Sequence, residues 1–169
     1  MTEAVAGLVA AFGRIAATRM ADLPLSNPAL HVAAVGFRPW QEDTEVGVLV
    51  TPWALNLVIV SSLRDASLRL APDSRRTWQF PSGDYDFLGG EEPECGAFQF
   101  CSLFSPVFEF RDHASAVEMG NVLVAALFAD PLQPAGADRE AARLAGRSLG
   151  QVPTTRRGFL QGVFAGLKG

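Results

Sequence analysis

The sequence predicts an α+β fold: a single domain in which an antiparallel β-sheet is flanked by an N-terminal and a C-terminal amphipathic helix, with a flexible C-terminal tail. Three observations lead there. Helical periodicity is confined to one stretch at each end of residues 1–129. Between them, apolar residues alternate or run in blocks of strand length. Those blocks are joined by short Gly-, Pro- and Ser-containing connections, which favour antiparallel pairing because a parallel crossover needs about a dozen residues or more.

The first helix is expected over residues 3–21. Val5, Leu8, Phe12, Ile15 and Arg19 recur at spacings of three and four, with Val9, Ala16 and Met20 beside them; Thr2 is placed to cap the helix and Pro24 to end it. Strands are expected near 31–38, from Val46 to Val50, from Leu55 to Val60, near 76–80 and 84–88, and from Ala97 to Phe104. The Leu55 block is apolar on both faces and therefore central. In the last block, Phe98, Phe100 and Phe104 should share one face, with Cys101 and Leu103 on the other. The second helix should begin between Asp112 and Ser115, where Ser115 and Glu118 have capping-box spacing. Val117, Gly120, Val124 and Leu127 line one face of that helix, widened by Leu123 and Phe128. Residues 130–152 read as a linker with a short polar helix near 138–146, and residues 153–169 as a basic tail.

The totals narrow the function. The 169 residues carry a net charge of −4, with 49% hydrophobic and 19% charged residues and a mean hydropathy of +0.17. That suffices for one core and leaves room for an apolar surface patch that would meet a partner. An acidic chain lacks the basic face that nucleic acid requires. No apolar run approaches the roughly 18 residues of a membrane helix, and the first residues lack the basic region of a signal peptide. Cys95 and Cys101 form no CxxC and no Cys/His cluster, so neither a zinc nor a rubredoxin-type site is expected. Two free thiols suit a reducing, cytoplasmic setting.

Catalysis has little support. His31 and His113 stand in no nucleophile motif. Asp84, Asp86, Glu91, Glu92 and Glu94 lack EF-hand spacing and read as a solvated acidic hairpin. Binding is better served. In Thr51-Pro52-Trp53, Trp53 either plugs the core or, beside an edge left unpaired by Pro52, offers an apolar surface to an extended peptide. The run Cys101-Ser102-Leu103-Phe104-Ser105-Pro106 is an apolar strand ending in proline. Thr155-Arg156-Arg157-Gly158-Phe159-Leu160-Gln161 reads like the twin-arginine export motif, but an export signal belongs at the N-terminus ahead of an apolar run, and only Gly162 to Gly169 follow here. A plain basic tail is its simplest reading.

Taken together, these segments resemble the HybE/HupJ-type [NiFe]-hydrogenase assembly chaperones. The resemblance runs from the first helix to at least residue 128. It rests on Met20-x-Asp22-Leu23, Asn27-Pro28, Thr51-Pro52-Trp53 with Leu55 to Val60, Pro81-x-Gly83, and Cys101-Ser102-Leu103-x-Ser105-Pro106 with the helix after it. It implies a cytoplasmic accessory protein, not an enzyme and without cofactor or metal. Such a protein engages the hydrogenase large subunit and the small-subunit precursor with its twin-arginine signal, preventing premature assembly or export. Some relatives carry a rubredoxin module, which is not seen here. The expected gripping residues are Pro52, Trp53, Cys101, Phe104, Ser105 and Pro106, with Glu91, Glu92 and Glu94 steering the signal's arginines. Arg156, Arg157, Phe159 and Leu160 would form a regulatory tail that imitates the client. A small-ligand or metal-handling protein with a pocket near Trp53 is the alternative.

Overall fold

Helix α1 (Glu3–Ala17) opens as the periodicity predicts. The Thr2 side chain caps it by accepting from the Val5 amide, and Thr2 Oγ1 also donates to Glu45. The helix stops before Pro24 is reached. The Thr18 hydroxyl bonds back to the Arg14 carbonyl at 2.7 Å, and the Thr18 and Met20 amides both turn onto the Ile15 carbonyl. The structure, a computed structural model, describes residues 1–63 and 66–130. The expected linker and tail therefore lie outside the described residues.

Six strands follow: β1 (Ala33–Pro39), β2 (Thr44–Val50), β3 (Leu55–Ser61), β4 (Arg75–Phe80), β5 (Gly83–Glu92) and β6 (Gly96–Phe104). They form one sheet in the order β1-β2-β3-β6-β5-β4, antiparallel at every pairing. Every residue of β2 and β3 is buried; for β3 this is what a block apolar on both faces requires. Helix α2 (His113–Leu127) completes the domain. Its cap is Asp112, whose Oδ1 accepts from the Ser115 amide at 2.8 Å; Ser115, expected as the cap, is the third residue of the first turn.

The two helices cover opposite faces of the sheet. On one, α1 sets Val5, Leu8, Phe12 and Ile15 on Leu49, Val58, Val60 and Phe98. Gly7 permits this approach: a Cβ there would stand 2.3 Å from the Glu94 carbonyl oxygen. On the other, α2 sets Leu123, Val124 and Leu127 against Val35, Val48 and the aromatic set Trp78, Phe80, Tyr85 and Phe87. Gly120 lets the helix lie close, since a Cβ there would meet Val35 at 3.1 Å.

Strand β6 departs from simple alternation. Asn56 pairs with Ser102 but its neighbour Leu55 pairs with Phe104, so Leu103 is an extra residue in the ladder. Phe98 and Phe100 face α1, whereas Phe104 is switched to the α2 side with Cys101 and Leu103. The expectation that the three phenylalanines share a face is corrected by this bulge.

Candidate functional site

Three loop segments meet at one end of the sheet, and Asn27 joins them. Its side chain is buried, 6% exposed. Nδ2 donates to the carbonyls of Val107 (3.0 Å) and Phe110 (2.9 Å), and Oδ1 accepts from the Ala29 amide (3.0 Å). The Asn27 amide donates to the Pro52 carbonyl at 2.7 Å. An amide has the mix of donors and acceptor this junction needs, and every one of those atoms is used. The β2–β3 turn is closed separately, by Thr51 Oγ1 donating to the Ala54 carbonyl and accepting from the Ala54 amide. The residues singled out in three separate stretches of sequence thus form one structural unit.

That unit differs from the expected one. Pro52 lies in the turn between β2 and β3, which are interior strands; the sheet edges are β1 and β4. It leaves no unpaired edge. Trp53 is partly buried and stacks on Phe12 of α1, ring centroids 6.3 Å apart. Phe104 is buried on the opposite face against Phe110, centroids 5.9 Å apart. A single apolar surface made by Trp53 and Phe104 does not exist. Cys95 and Cys101 are free and buried. Ser105 and Pro106 are exposed and joined by a cis peptide bond.

The exposed apolar side chains at this end are others. Leu23 is 43% exposed, Leu25 53% and Phe108 54%. Leu25 is two residues from Asn27, and Phe108 follows the carbonyl that Asn27 holds. Their signal in the sequence is a large apolar residue within two positions of a proline in a loop (Leu23-Pro24-Leu25 and Pro106-Val107-Phe108), which strand and helix patterns pass over. Next to Phe108 a groove of about 390 Å³ runs between residues 109–112 and the first turns of α2, with Phe110, Met119 and Val122 in its lining and Glu109, Asp112 and Glu118 along its rim. Close by, the His31 and His113 rings stack with centroids 3.4 Å apart, and the His31 amide donates to His113 Nδ1. Burial, and then the neighbouring His31, hold the His113 imidazole below its ordinary value, so it is biased toward the neutral form that accepts this bond.

The acidic turn is already engaged within the chain. Arg14 donates to Glu94 (Nε, 2.6 Å) and Glu92 (Nη2, 2.7 Å), Arg19 to Glu92 (2.5 Å), and Arg69 to Glu91 (2.5 Å). The Arg14 hydrogen bonds hold the Glu94 carboxyl at about 2. For Glu92, burial alone would raise the value, but the hydrogen bonds from Arg19 and Arg14 outweigh it and the net shift is downward. The carboxylates stand at the surface, as a solvated hairpin does, and Glu92 and Glu94 in addition pair with Arg14 and so tie α1 to the β5–β6 turn.

Other concavities lie between residues 69–74 and Leu88 to Glu91 (about 330 Å³) and between Gln41, Leu68 and Trp78 (about 480 Å³). Trp53 lines none of the three. Among the described residues, no group of three or more His, Cys, Asp and Glu side chains is placed to hold a metal ion, and no helix is long and apolar enough to cross a membrane.

Comparison with known proteins bears on this arrangement. Residues 3–162 match the family model described as [NiFe]-hydrogenase assembly, chaperone, HybE. The chain is 43% identical over 144 residues to protein HoxT of Cupriavidus necator, covering 78% of this chain and 79% of that one. It is 34% identical over 162 residues to the hydrogenase expression/formation protein HupJ of Bradyrhizobium diazoefficiens, covering 96% and 89%. The fold is similar to the solution structure of HybE from Escherichia coli, with a TM-score of 0.55 and 26% identity over 80% of this chain and 86% of that one.

Proposed function

The chain belongs to the HybE family of [NiFe]-hydrogenase assembly chaperones, and from that premise we propose that it holds hydrogenase subunit precursors at the Asn27-centred end of the sheet. The observation that carries this reading is the exposure of Leu23, Leu25 and Phe108 on segments that Asn27 fixes from within. Exposed apolar side chains on hydrogen-bonded loops suit a client whose own apolar surface is not yet covered. The clients are the large subunit and the small-subunit precursor with its twin-arginine signal, held in the cytoplasm until assembly or export is due.

Magnitudes shape the proposal. A micromolar complex requires about 8 kcal/mol. Burying three side chains that are already half covered contributes about 2–4 kcal/mol before ordering costs. The neighbouring groove must therefore take part. Charge steering by Glu91, Glu92 and Glu94 would first have to displace Arg69, Arg14 and Arg19, and exposed ion pairs give only about 0–1 kcal/mol each. Its contribution to affinity is small.

Co-purification with the large subunit and with the small-subunit precursor, with and without the signal peptide, is the direct test. Phe108→Asp should reduce capture at least tenfold. Full capture by this variant would remove the surface from consideration. The small-ligand reading predicts no stoichiometric protein partner at all.

A further inference from the structure

Deepening that reading, we propose that the groove beside Phe108 is the docking site for the chain's own segment Arg156–Phe164. The groove has an apolar lining and an acidic rim. Met119 and Val122 are partly buried, and Phe110 closes one side. Of the rim carboxylates, Asp112 is occupied as the cap of α2. Glu109 and Glu118 are exposed and have no ion-pair partner among the described residues. Arg111 is the one cation in the lining. The site thus offers two carboxylates beside an apolar trough.

The occupant it fits is a basic pair followed by apolar residues. Arg156 and Arg157 precede Phe159, Leu160 and Phe164 in this chain, so the required chemistry is present in the required order. Geometry permits the connection. The groove flanks the first turns of α2, and Asp130 follows its other end. From Ser115 to Leu127 the helix spans about 18 Å at 1.5 Å per residue. Residues 131–155 separate Asp130 from Arg156. Twenty-five residues reach about 25–30 Å even as a flexible chain, which exceeds the roughly 18 Å to be covered. Tethering within such a reach gives an effective concentration on the order of 1 mM. A segment that binds the groove with a dissociation constant near 100 μM when free would therefore fill it about ten times out of eleven, and a client would compete against it.

The test uses the full chain and, as probe, a fluorescent peptide copying residues 154–167. A chain carrying Phe159→Asp and Leu160→Asp should bind the probe about tenfold more tightly than the wild type, because its groove is vacant. Equal affinity would overturn the assignment of the occupant. In that same background, Glu109→Lys with Glu118→Lys should weaken the probe at least tenfold; both positions are exposed, so an unchanged far-UV spectrum will confirm the fold. Undiminished binding would overturn the assignment of the groove. A probe that binds no form, while a twin-arginine signal peptide does, would assign the groove to the client and overturn the self-docking proposal. Client capture by the wild-type chain tests the broader reading separately, so the two can fail independently.

Discussion

The turn at Thr51–Ala54 and the segment at Ser105–Phe110 are tied to the same asparagine, contain proline and carry large aromatic residues, yet they use those aromatics differently. Trp53 lies down on Phe12 and extends the α1 core. Phe108 stands out of the opposite loop, more than half exposed, between the buried Val107 and Phe110 that flank it on either side. What separates an exposed aromatic from a packing one here is the layer beneath it. Helix α1 reaches the Trp53 turn and covers it, whereas the residues beside Phe108 are drawn inward by Asn27 and leave it on the outside. An apolar residue in a loop is informative about function only once its surroundings are known.

The largest way to break this comparison is to remove what the two segments share. Asn27→Ala strips the Asn27 donor from the buried Phe110 carbonyl and the acceptor from the Ala29 amide, while the Val107 carbonyl keeps its 3.4 Å bond from the Phe110 amide. At about 1–3 kcal/mol for the buried Phe110 carbonyl left unpaired, and about 1 kcal/mol for the half-buried Ala29 amide, the loss should total roughly 2–4 kcal/mol, read from the urea midpoint at unchanged m-value. Client capture should fall as well, because the segment that presents Phe108 is no longer held. A stability change under about 0.5 kcal/mol would mean that the junction is not what fixes the two loops.

Next come the paired truncations, which should separate. Trp53→Ala should cost about 2 kcal/mol of stability, less than the 3–5 kcal/mol of a fully buried aromatic because Trp53 is only partly covered. Capture per folded molecule should stay near that of the wild type. Phe108→Asp should do the opposite: a stability change within about 0.5 kcal/mol, as for surface sites generally, with capture reduced at least tenfold. If both variants lost capture equally, the two segments would form one binding surface and the distinction drawn between them would be wrong.

How much of this was legible beforehand follows from which signals are local. Both helices announce themselves through periodicity and the six strands through alternation or apolar runs of strand length, since the pleat and the helical turn impose a spacing on any chain that buries one face. The Leu103 bulge does not: an inserted residue changes no local composition, and only the partner strand reveals that Phe104 has switched faces. The end of α1 at Ala17 was hidden for a similar reason, because Thr18 closes the helix through a side-chain bond while Met20 still packs on the α1 core. The ion pairs of the acidic turn were not legible, because Arg14 and Arg19 are 73 to 80 residues away in sequence. Asn27 could be picked out beside Pro28, but its role as the junction of three loops depends on contacts 80 and 83 residues distant.

The smallest effect concerns how the bed beneath Trp53 is positioned, since α1 is held both by its apolar face and by the Arg14–Glu94 clamp. Glu94's carboxyl lies at about 2, against an ordinary 4.5, chiefly because Arg14 donates to it. A depressed acid stabilises the fold above its unfolded value and loses that contribution as pH falls through its folded value. Arg14→Ala should therefore be less stable than the wild type by a small amount at neutral pH, and the gap should close between about pH 4.5 and pH 2. Side-chain carboxyl shifts followed by NMR should show Glu94 returning toward the ordinary range in the variant. Added salt should narrow the same gap at neutral pH, since Arg14 is exposed and the pair is open to screening. If Trp53 fluorescence stays unchanged across that titration, packing alone seats α1 under the turn, and the clamp serves the β5–β6 hairpin instead. A shift in step with Glu94 would show that charge helps to hold the covered side of the molecule in place.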